Sequence, residues 1–432
     1  MESVDRALPL TRGQLDIWLA QEAEGTSNEW QLGLFVTIEG VVDRDALEWA
    51  INRVVQEVEP GRATFYEASG QIFQRVLELP SVELPFFDLT ESADPAAEAT
   101  AIASSIRRTP MSLTGPLFKF ALFQTGADEY RLFACCHHIV IDGFALGLAG
   151  QRIASVYSAL VFGSAIPEAL FGSLDTLIER ELDYEASDDY IADQKYWEAN
   201  LPADDSGSYP SLEFGIGSDR YSHSASAELD VRVISQVDEL SSTWSMPRSS
   251  IITAACALLV RGWDDEGTHV VLDFPVSRRI HPELKTLPGM VSGVVPLVLT
   301  VSPTSSVTAF CEHVDARIKE ALQHQRFPVR ELERKVLHSN PGQPVKRVGI
   351  NFLPSSFTLS FGGATATASY TNVGPVGSFG FVFSTAGDKL LLSTAGATPL
   401  AGASAVTLVE RLRRVLVAMV ADPGRSLSSI DV

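Results

Sequence analysis

The chain has 432 residues, of which 45% are hydrophobic and 20% are charged, and its formal net charge at pH 7 is -21. This composition is ordinary for a globular protein, and the length predicts two or more compact units. The negative charge argues against nucleic acid or an anionic membrane as a partner, and the apolar run 251–260 is far shorter than the ~20 residues that span a bilayer.

The cysteines and the start of the chain indicate a cellular compartment. Cys135, Cys136, Cys256 and Cys311 lie in apolar segments without metal-binding or disulfide spacing, which is typical of small core residues in a reducing environment. Residues 1–10 include two acidic side chains and no apolar secretory core. The sequence therefore predicts a cytoplasmic protein.

Apolar periodicity along the first part of the chain predicts alternating helices and strands. Thr11 is placed to cap a short helix that ends near Gln21. The predicted helices that follow are 43–58 and 94–109, and the predicted strands are 31–39, 71–77 and 117–124.

A predicted buried strand at 130–136 leads into two histidines, and a predicted amphipathic helix at 144–160 follows an Asp-Gly pair. Because successive side chains of a strand point to opposite faces, one of His137 and His138 should face a cavity and the other the packed interior. Three chemically demanding residue types at one apolar strand end predict a functional site. A metal site is not expected, since adjacent histidines diverge and no Cys/His cluster completes a shell.

The second half of the chain repeats this alternation. The acidic segment 179–198 predicts a solvated helix, and the polar segment 201–209 predicts a linker, so the expected lobes are 1–200 and 201–432. Where the first lobe has its histidine pair, the second has Ser277-Arg278-Arg279. The predicted strands of the second lobe are 224–229, 268–276, 349–353 and 359–370, and the helices are 233–245, 249–262, 305–323 and 405–421.

The run from His137 to Gly143 resembles the His-His-x-x-x-Asp-Gly signature of the condensation domains of nonribosomal peptide synthetases, which are related to chloramphenicol acetyltransferase-like acyltransferases. The regions around Trp18 and His324 resemble the starter subgroup of that family. Gly293 stands where this subgroup commonly has Asn, and Pro60-Gly61-Arg62 departs from the second family motif. The segments that resemble family motifs are 8–21, 54–65, 137–143, 287–297, 324–332 and 374–384.

The resemblance implies an α/β fold of two chloramphenicol acetyltransferase-like lobes, each a two-layer α+β sandwich. These lobes would form a V-shaped pseudo-dimer with a central tunnel. The second lobe would contribute a floor loop at 287–297 and a latch at 371–390.

The family reaction, in which an amine attacks an acyl thioester, implies roles for the motif residues. His138 would be catalytic, either as a general base or by positioning the attacking nitrogen, with a pKa near its ordinary value. His137 would point away and support the loop. Gly143 would give the backbone freedom to close the turn, and its N–H would stabilise a developing oxyanion.

The remaining site residues are also implied by the resemblance. Asp142 would form a buried ion pair with Arg279, or with Arg278, and would not act as a base. Three further residues would line the substrate tunnel: Trp18, Ser292 and Gly293.

The predicted function is a starter condensation domain that joins a fatty or modified acyl group to the amine of a carrier-bound amino acid. Phosphopantetheine arms would carry the substrates, so no cofactor is expected to bind directly. The expected partners are an acyl carrier protein or acyl-CoA, a peptidyl carrier protein and adjacent synthetase domains, and the chain is expected to be monomeric. The alternatives are an elongation domain, a stand-alone CoA-dependent acyltransferase and a catalytically silent recruitment domain.

Overall fold

The contacts within a computed structural model divide the protein into two units. The first unit comprises Met1–Ala186, Arg279–Ser292 and Ser356–Gly374, and the second comprises Ser187–Arg278, Gly293–Ser355 and Pro375–Val432. The structure describes residues 7–24, 30–78, 81–201, 226–263, 268–338, 347–353, 358–374, 379–396 and 405–431. Nearly all of the predicted linker 201–209, and residues 375–378 of the predicted latch, lie outside the described residues.

The strands and helices are numbered along the chain. The strands are β1 (Leu8–Pro9), β2 (Gln31–Glu39), β3 (Ala63–Ala68), β4 (Gln71–Val76), β5 (Phe86–Asp88), β6 (Phe118–Gly126), β7 (Glu129–His137), β8 (Ala227–Glu228), β9 (His269–Val276), β10 (Gly293–Thr300), β11 (Val348–Phe352), β12 (Thr358–Phe361), β13 (Ala364–Val373), β14 (Phe379–Ala386) and β15 (Lys389–Gly396). The helices are α1 (Arg12–Glu24), α2 (Arg44–Glu57), α3 (Pro95–Arg108), α4 (Gly143–Val161), α5 (Leu174–Glu185), α6 (Asp188–Asn200), α7 (Val231–Trp244), α8 (Arg248–Arg261), α9 (Val307–Gln323), α10 (Val329–His338) and α11 (Ala405–Ala421).

The main sheet of the first unit has the described strand order β12-β13-β2-β7-β6-β5. Its strands are antiparallel except for the parallel pair β5 and β6. The register places Gln31 opposite His137 at the end of β7. Helices α2 and α4 bury one apolar stripe each in the same core as this sheet, because their apolar residues recur at helical spacing. This core fixes the strand end that carries the histidine pair.

The second unit is built around a sheet whose described strand order is β10-β9-β11-β14-β15-β8. Helix α8 is buried from Ser250 to Val260, which is expected of a helix that is apolar on all faces. Its side chains share a core with residues of α9 and α11.

The predicted elements that lie among the described residues are found near their predicted positions, and two of them are divided, whereas β3, β5, β10, β14, β15 and α10 were not predicted. The helix predicted at 179–198 is two helices, α5 and α6, because Ser187 accepts a hydrogen bond from the Tyr190 N–H at 3.3 Å and caps a new helix. The strand predicted at 359–370 is the hairpin of β12 and β13. Gly362 and Gly363 form its turn with φ of +61° and +88°, a backbone conformation that favours glycine.

Each unit is built from three separate segments of the chain, whereas the predicted lobes 1–200 and 201–432 are each continuous in sequence. Trp197 is buried in the core of the second unit, so α6 belongs there although it precedes residue 201. Strands β12 and β13 belong to the first unit because β13 pairs with β2. The floor loop predicted at 287–297 lies partly in each unit, since the first unit ends at Ser292 and β10 begins at Gly293.

Within the described part of the chain, α4 is long and apolar enough to cross a membrane by length and composition alone. Half of its most apolar window is buried inside the protein, and the core helix of a soluble protein meets the same criterion. The stripe of α4 that packs in the core of the first unit accounts for its apolar composition.

Candidate active site

The junction between β7 and α4 holds the histidine pair in a tight backbone turn. The strand ends at His137, and the N–H of His138 donates to the carbonyl oxygen of Trp30 at 2.7 Å. The carbonyl oxygen of His138 accepts from the N–H of Ile141 at 3.3 Å. Asp142 then caps α4 by accepting from the N–H of Ala145 at 2.9 Å. The backbone N–H and the carbonyl group of His138 are therefore both hydrogen-bonded.

His137 is fully buried and held at both ring nitrogens. Its Nδ1 accepts from the N–H of Ile139 at 3.2 Å, so the hydrogen of the neutral ring lies on Nε2. The side-chain amide of Gln21 lies 3.1 Å from Nε2, and with its oxygen turned toward the ring it accepts that hydrogen. Burial lowers the pKa of His137 to about 3, which keeps the ring neutral. Sequence analysis missed Gln21, although it ends the motif of α1.

His138 is half-buried and packs between an indole and a glycine backbone. The Trp30 ring meets it edge-on, with centroids 6.3 Å apart. A Cβ at Gly374 would lie 2.9 Å from its Cδ2, so only glycine fits there. Within the described residues, the buried Nδ1 has no hydrogen-bond partner. Burial lowers the pKa of His138, and the charge of Asp142 offsets part of this effect.

The lowered pKa differs from the nearly unperturbed value expected from sequence. The difference arises because both histidines are desolvated by the apolar end of β7, which a motif alone does not reveal. A neutral imidazole retains a lone pair, so the ring of His138 can accept a proton or a hydrogen bond.

Asp142 is buried and saturated with donors. Its Oδ1 caps α4, while Oδ2 accepts from the guanidinium of Arg279 at 2.5 Å and from the N–H groups of Val291 and Ser292 at 3.1 and 3.0 Å. A carboxylate has about four acceptor positions, so little capacity remains for proton transfer. This geometry suits a carboxylate that fixes the chain around α4.

Arg279 completes the cluster around Asp142. Its Nη2 donates to the carbonyl oxygens of Leu287 and Gly289 at 3.2 and 2.9 Å, and its guanidinium lies 4.9 Å from the centroid of the Phe144 ring. A planar guanidinium presents several donors in a fixed geometry, so one side chain can hold a carboxylate and two carbonyl groups. Of the two candidate partners, the structure places Arg279 against Asp142.

Arg278 contacts Gln325, whereas Arg279 contacts Asp142, and the position of Arg278 accounts for the glycine at position 293. Its N–H donates to the Gln325 side chain at 2.9 Å, and its Nε donates to the Gln325 carbonyl oxygen at 3.1 Å. A Cβ at position 293 would overlap the guanidinium of Arg278. The side chain that the starter subgroup commonly has at this position would therefore require the Arg278 guanidinium to move.

Gly143 is the first residue of α4, and its φ is not in the left-handed region. A Cβ there would meet the Tyr370 hydroxyl oxygen at an ordinary 3.7 Å. The expectation that Gly143 supplies backbone freedom is therefore wrong, because a helical conformation suits any residue. Its carbonyl oxygen accepts from the Tyr370 hydroxyl at 3.0 Å.

The other two predicted tunnel residues have limited polar contacts. Trp18 is half-buried, and its ring lies 6.4 Å from that of Phe65. Ser292 contributes its N–H to Asp142, and its hydroxyl lies 3.8 Å from the sulfur of Met290. Among the described residues, no group of three or more His, Cys, Asp or Glu side chains could hold a metal ion.

An apolar cavity lies within the first unit, between the sheet and helices α2 and α4. Leu146 lies on its wall, three residues after Gly143, so the cavity extends along α4 from near the start of that helix. All its lining residues are apolar, among them Val54, Val58, Phe120, Leu146, Ala149 and Gly150. Such a space would favour a hydrocarbon group over a polar one.

Comparison with known proteins gives consistent matches. A family model described as Condensation domain matches residues 4–355. The chain is 28% identical over 382 residues to a dimodular nonribosomal peptide synthase of Bacillus subtilis, covering 87% of this chain and 16% of that protein. It is 27% identical over 376 residues to an isonitrile lipopeptide synthase of Streptomyces coeruleorubidus, covering 85% of this chain and 25% of that protein. The chain thus spans a quarter or less of the length of these two relatives.

Solved structures resemble the protein over nearly its whole length. The first condensation domain of the calcium-dependent antibiotic synthetase has a TM-score of 0.87 and 26% identity, with 99% of each chain covered. A variant of the starter condensation domain of rhizomide synthetase, in complex with C8-CoA, has a TM-score of 0.84 and 27% identity, covering 98% of this chain and 97% of that one. This similarity confirms the predicted α/β fold of two chloramphenicol acetyltransferase-like lobes.

Proposed function

The chain belongs to the condensation domain family, and from that premise we propose that it is a starter condensation domain. Condensation domains form amide bonds in nonribosomal peptide synthetases and work with carrier proteins. The proposed donor is a fatty acyl thioester on an acyl carrier protein or coenzyme A. The proposed acceptor is the amine of an aminoacyl group on a peptidyl carrier protein.

The proposed reaction makes one bond and breaks one. The acceptor nitrogen attacks the thioester carbonyl carbon, the carbon–nitrogen bond forms, and the carbon–sulfur bond breaks to release the thiol. The nitrogen loses a proton, which His138 can accept as a neutral imidazole and pass to the leaving sulfur. General-base catalysis of this kind contributes about 10²–10⁴-fold in rate. Tethering both reactants to carriers would raise their effective concentration.

The start of α4 is suited to an oxyanion. The first N–H groups of a helix lack intrahelical acceptors, and the helix dipole favours negative charge there. Gly143 is the first residue of α4, and a glycine has no side chain that could cover its N–H. We assign to Gly143 the stabilisation of the tetrahedral intermediate.

The observation that carries the starter assignment is the similarity over nearly the whole chain to the starter condensation domain of rhizomide synthetase, and the apolar cavity beside α4 supports it. An aminoacyl or peptidyl donor placed there would leave amine and amide groups without hydrogen-bond partners. A hydrocarbon chain would instead gain about 0.8 kcal/mol for each buried methylene group. The C8-CoA complex of the similar rhizomide synthetase domain supports the same class of donor.

The test is a reconstitution with a panel of donors. The chain is incubated with an aminoacyl peptidyl carrier protein and with octanoyl-CoA, an octanoyl acyl carrier protein or an aminoacyl carrier protein, and the acceptor is examined by intact mass. We expect N-octanoyl aminoacyl product, and we expect His138→Ala to lose most of it.

Other results of this panel would identify the alternatives. Product from the aminoacyl donor alone would indicate an elongation domain. Transfer from octanoyl-CoA to a free amine without any carrier protein would indicate a stand-alone acyltransferase. No transfer from any donor, with the protein folded, would favour a recruitment domain.

A further inference from the structure

We propose that Asn372 is a positioning residue for His138 and that it acts through the backbone of Gly374. This inference rests on the catalytic role proposed for His138. Asn372 lies at the end of β13 and Gly374 directly after that strand, more than two hundred residues from the histidine in sequence. Asn372 lies in the latch predicted at 371–390, but no role of its own was predicted for this residue.

An irregularity in β13 places Asn372 at this point. The register of β13 against β2 shifts between Tyr370 and Asn372, so Thr371 has no residue opposite it. The Thr371 hydroxyl instead occupies the space above Gly33, where a Cβ would overlap it. A bulge of this kind redirects the residues that follow it, and bulges are common next to active sites.

Asn372 holds the turn that follows the bulge. Its side chain is 1% exposed, and its Oδ1 accepts from the N–H of Gly374 at 3.1 Å. Gly374 has φ of +73°, a conformation in which glycine is favoured, and the hydrogen bond that its N–H donates to the asparagine two residues earlier stabilises the turn.

The turn places the backbone of Gly374 next to the imidazole ring of His138. A Cβ at Gly374 would lie 2.9 Å from Cδ2 of His138 and 3.7 Å from its Nε2, so the glycine backbone borders this edge of the ring. Trp30 meets the same ring edge-on. With its peptide groups also hydrogen-bonded, the imidazole has little freedom to leave the orientation that it has here.

Several polar atoms around this turn are buried without a hydrogen-bond partner among the residues that the structure describes. In the described part of the protein, Asn372 Nδ2, Thr371 Oγ1, Trp30 Nε1 and His138 Nδ1 are buried and have no hydrogen-bond partner. Native proteins keep few such groups, and each one calls for an explanation. Among the described residues, the Asn372 side chain makes its hydrogen bond through its oxygen, which accepts from the Gly374 N–H.

The experiment compares three variants of the full chain in the transfer assay. Asn372→Ala removes the acceptor for the Gly374 N–H, whereas Asn372→Asp keeps it. Thr371→Val is the matched control, because it changes the neighbouring half-buried side chain without removing any hydrogen bond found in the structure. We expect Asn372→Ala to lower kcat at least tenfold with KM within twofold of wild type, Asn372→Asp to recover most of that loss, and Thr371→Val to keep wild-type kcat.

A change in stability alone is separated from positioning by thermal unfolding of each variant. If Asn372→Asp unfolds at assay temperature, Asn372→Ser replaces it, since a hydroxyl can accept from the same N–H. An Asn372→Ala protein that is folded and has wild-type kcat overturns the proposal. Equal losses in Asn372→Ala and Thr371→Val also overturn it.

A readout without turnover distinguishes failure of this inference from failure of the proposed function. Nitrogen-15 NMR of the histidine rings, with the His138 signals assigned from His138→Ala, reports the tautomer and environment of that ring. If the wild type uses only aminoacyl donors, the starter assignment fails and the kinetic comparison is made with those donors. If the wild type is inactive with every donor, a shift of the His138 signals in Asn372→Ala supports the positioning contact, and unchanged signals refute it.

Discussion

The Asp142 carboxylate and the Arg279 guanidinium lie 2.5 Å apart, and each side chain is only 2% exposed. The pair joins the start of α4 to a segment 137 residues later in the chain. Burying two charges is unfavourable unless each is paired and hydrogen-bonded, and here backbone groups add hydrogen bonds to both partners. Their contribution to the site is therefore to hold the segment 279–292 beside α4.

The first prediction is that Asp142→Ala destabilises the protein by roughly 3–5 kcal/mol, because it leaves a buried guanidinium unpaired. Urea unfolding followed by circular dichroism measures this. Asp183→Ala is the control, since Asp183 is 73% exposed in its pair with Arg180 and its loss should be close to neutral. An Asp142→Ala protein that is as stable as wild type yet inactive would show that the carboxylate takes part in the chemistry.

The second prediction concerns acid stability. His137 has its pKa lowered from 6.5 to about 3 by burial, so the unfolded chain binds its proton more readily than the folded one. Its contribution to stability is complete above pH 6.5 and is lost as the pH falls toward 3, at up to ~1.4 kcal/mol per pH unit. The free energy of unfolding, measured with urea at several pH values between 7 and 5, should fall less steeply with pH for His137→Gln than for wild type. His269→Gln is the control, because His269 is exposed. If the free energy of unfolding depends on pH equally in His137→Gln and in wild type, the prediction is contradicted.

The third prediction is that Gly150→Leu shortens the acyl chain that the protein accepts. Gly150 lines the apolar cavity, and a Cβ there meets nothing within 4 Å, so a larger side chain would extend into that space. We expect transfer of octanoyl and palmitoyl groups to fall relative to acetyl groups. Gly150→Ala is the matched control with little change in selectivity, and replacing a helical glycine should stabilise each variant by roughly 0.5–1 kcal/mol. If a stable Gly150→Leu protein keeps the chain-length selectivity of wild type, the donor acyl chain does not occupy this cavity.

The fourth prediction tests why position 293 is glycine. Gly293→Asn should lower the unfolding temperature, because the new side chain overlaps the Arg278 guanidinium. Arg278→Gly removes that guanidinium and suits a residue with φ of +55°. In the double variant, Gly293→Asn should lower the free energy of unfolding by less than it does alone. The expected coupling energy between the two substitutions is about 0.5–3 kcal/mol. Strict additivity of the two changes would argue against the overlap as the reason for the glycine.

Local patterns were sufficient for most elements and for the location of the site. Strand β2 occupies the predicted residues 31–39, and α4 extends the predicted helix by one residue at each end. These predictions succeed because alternation and helical periodicity reflect which face of a single element is buried. The histidine motif likewise identified the family, since its residues are adjacent along the chain.

Packing between distant segments decided what these patterns left open. The sequence by itself determined that His137, His138 and Asp142 stand between a buried strand and a helix. The family resemblance left Arg279 and Arg278 as candidate partners of Asp142, and the tertiary structure decided for Arg279. Only the tertiary structure brought Gly374 to His138 and lowered the pKa of both histidines. The physical reason is that desolvation and long-range contacts depend on which segments meet in the folded core, and no local pattern records that meeting.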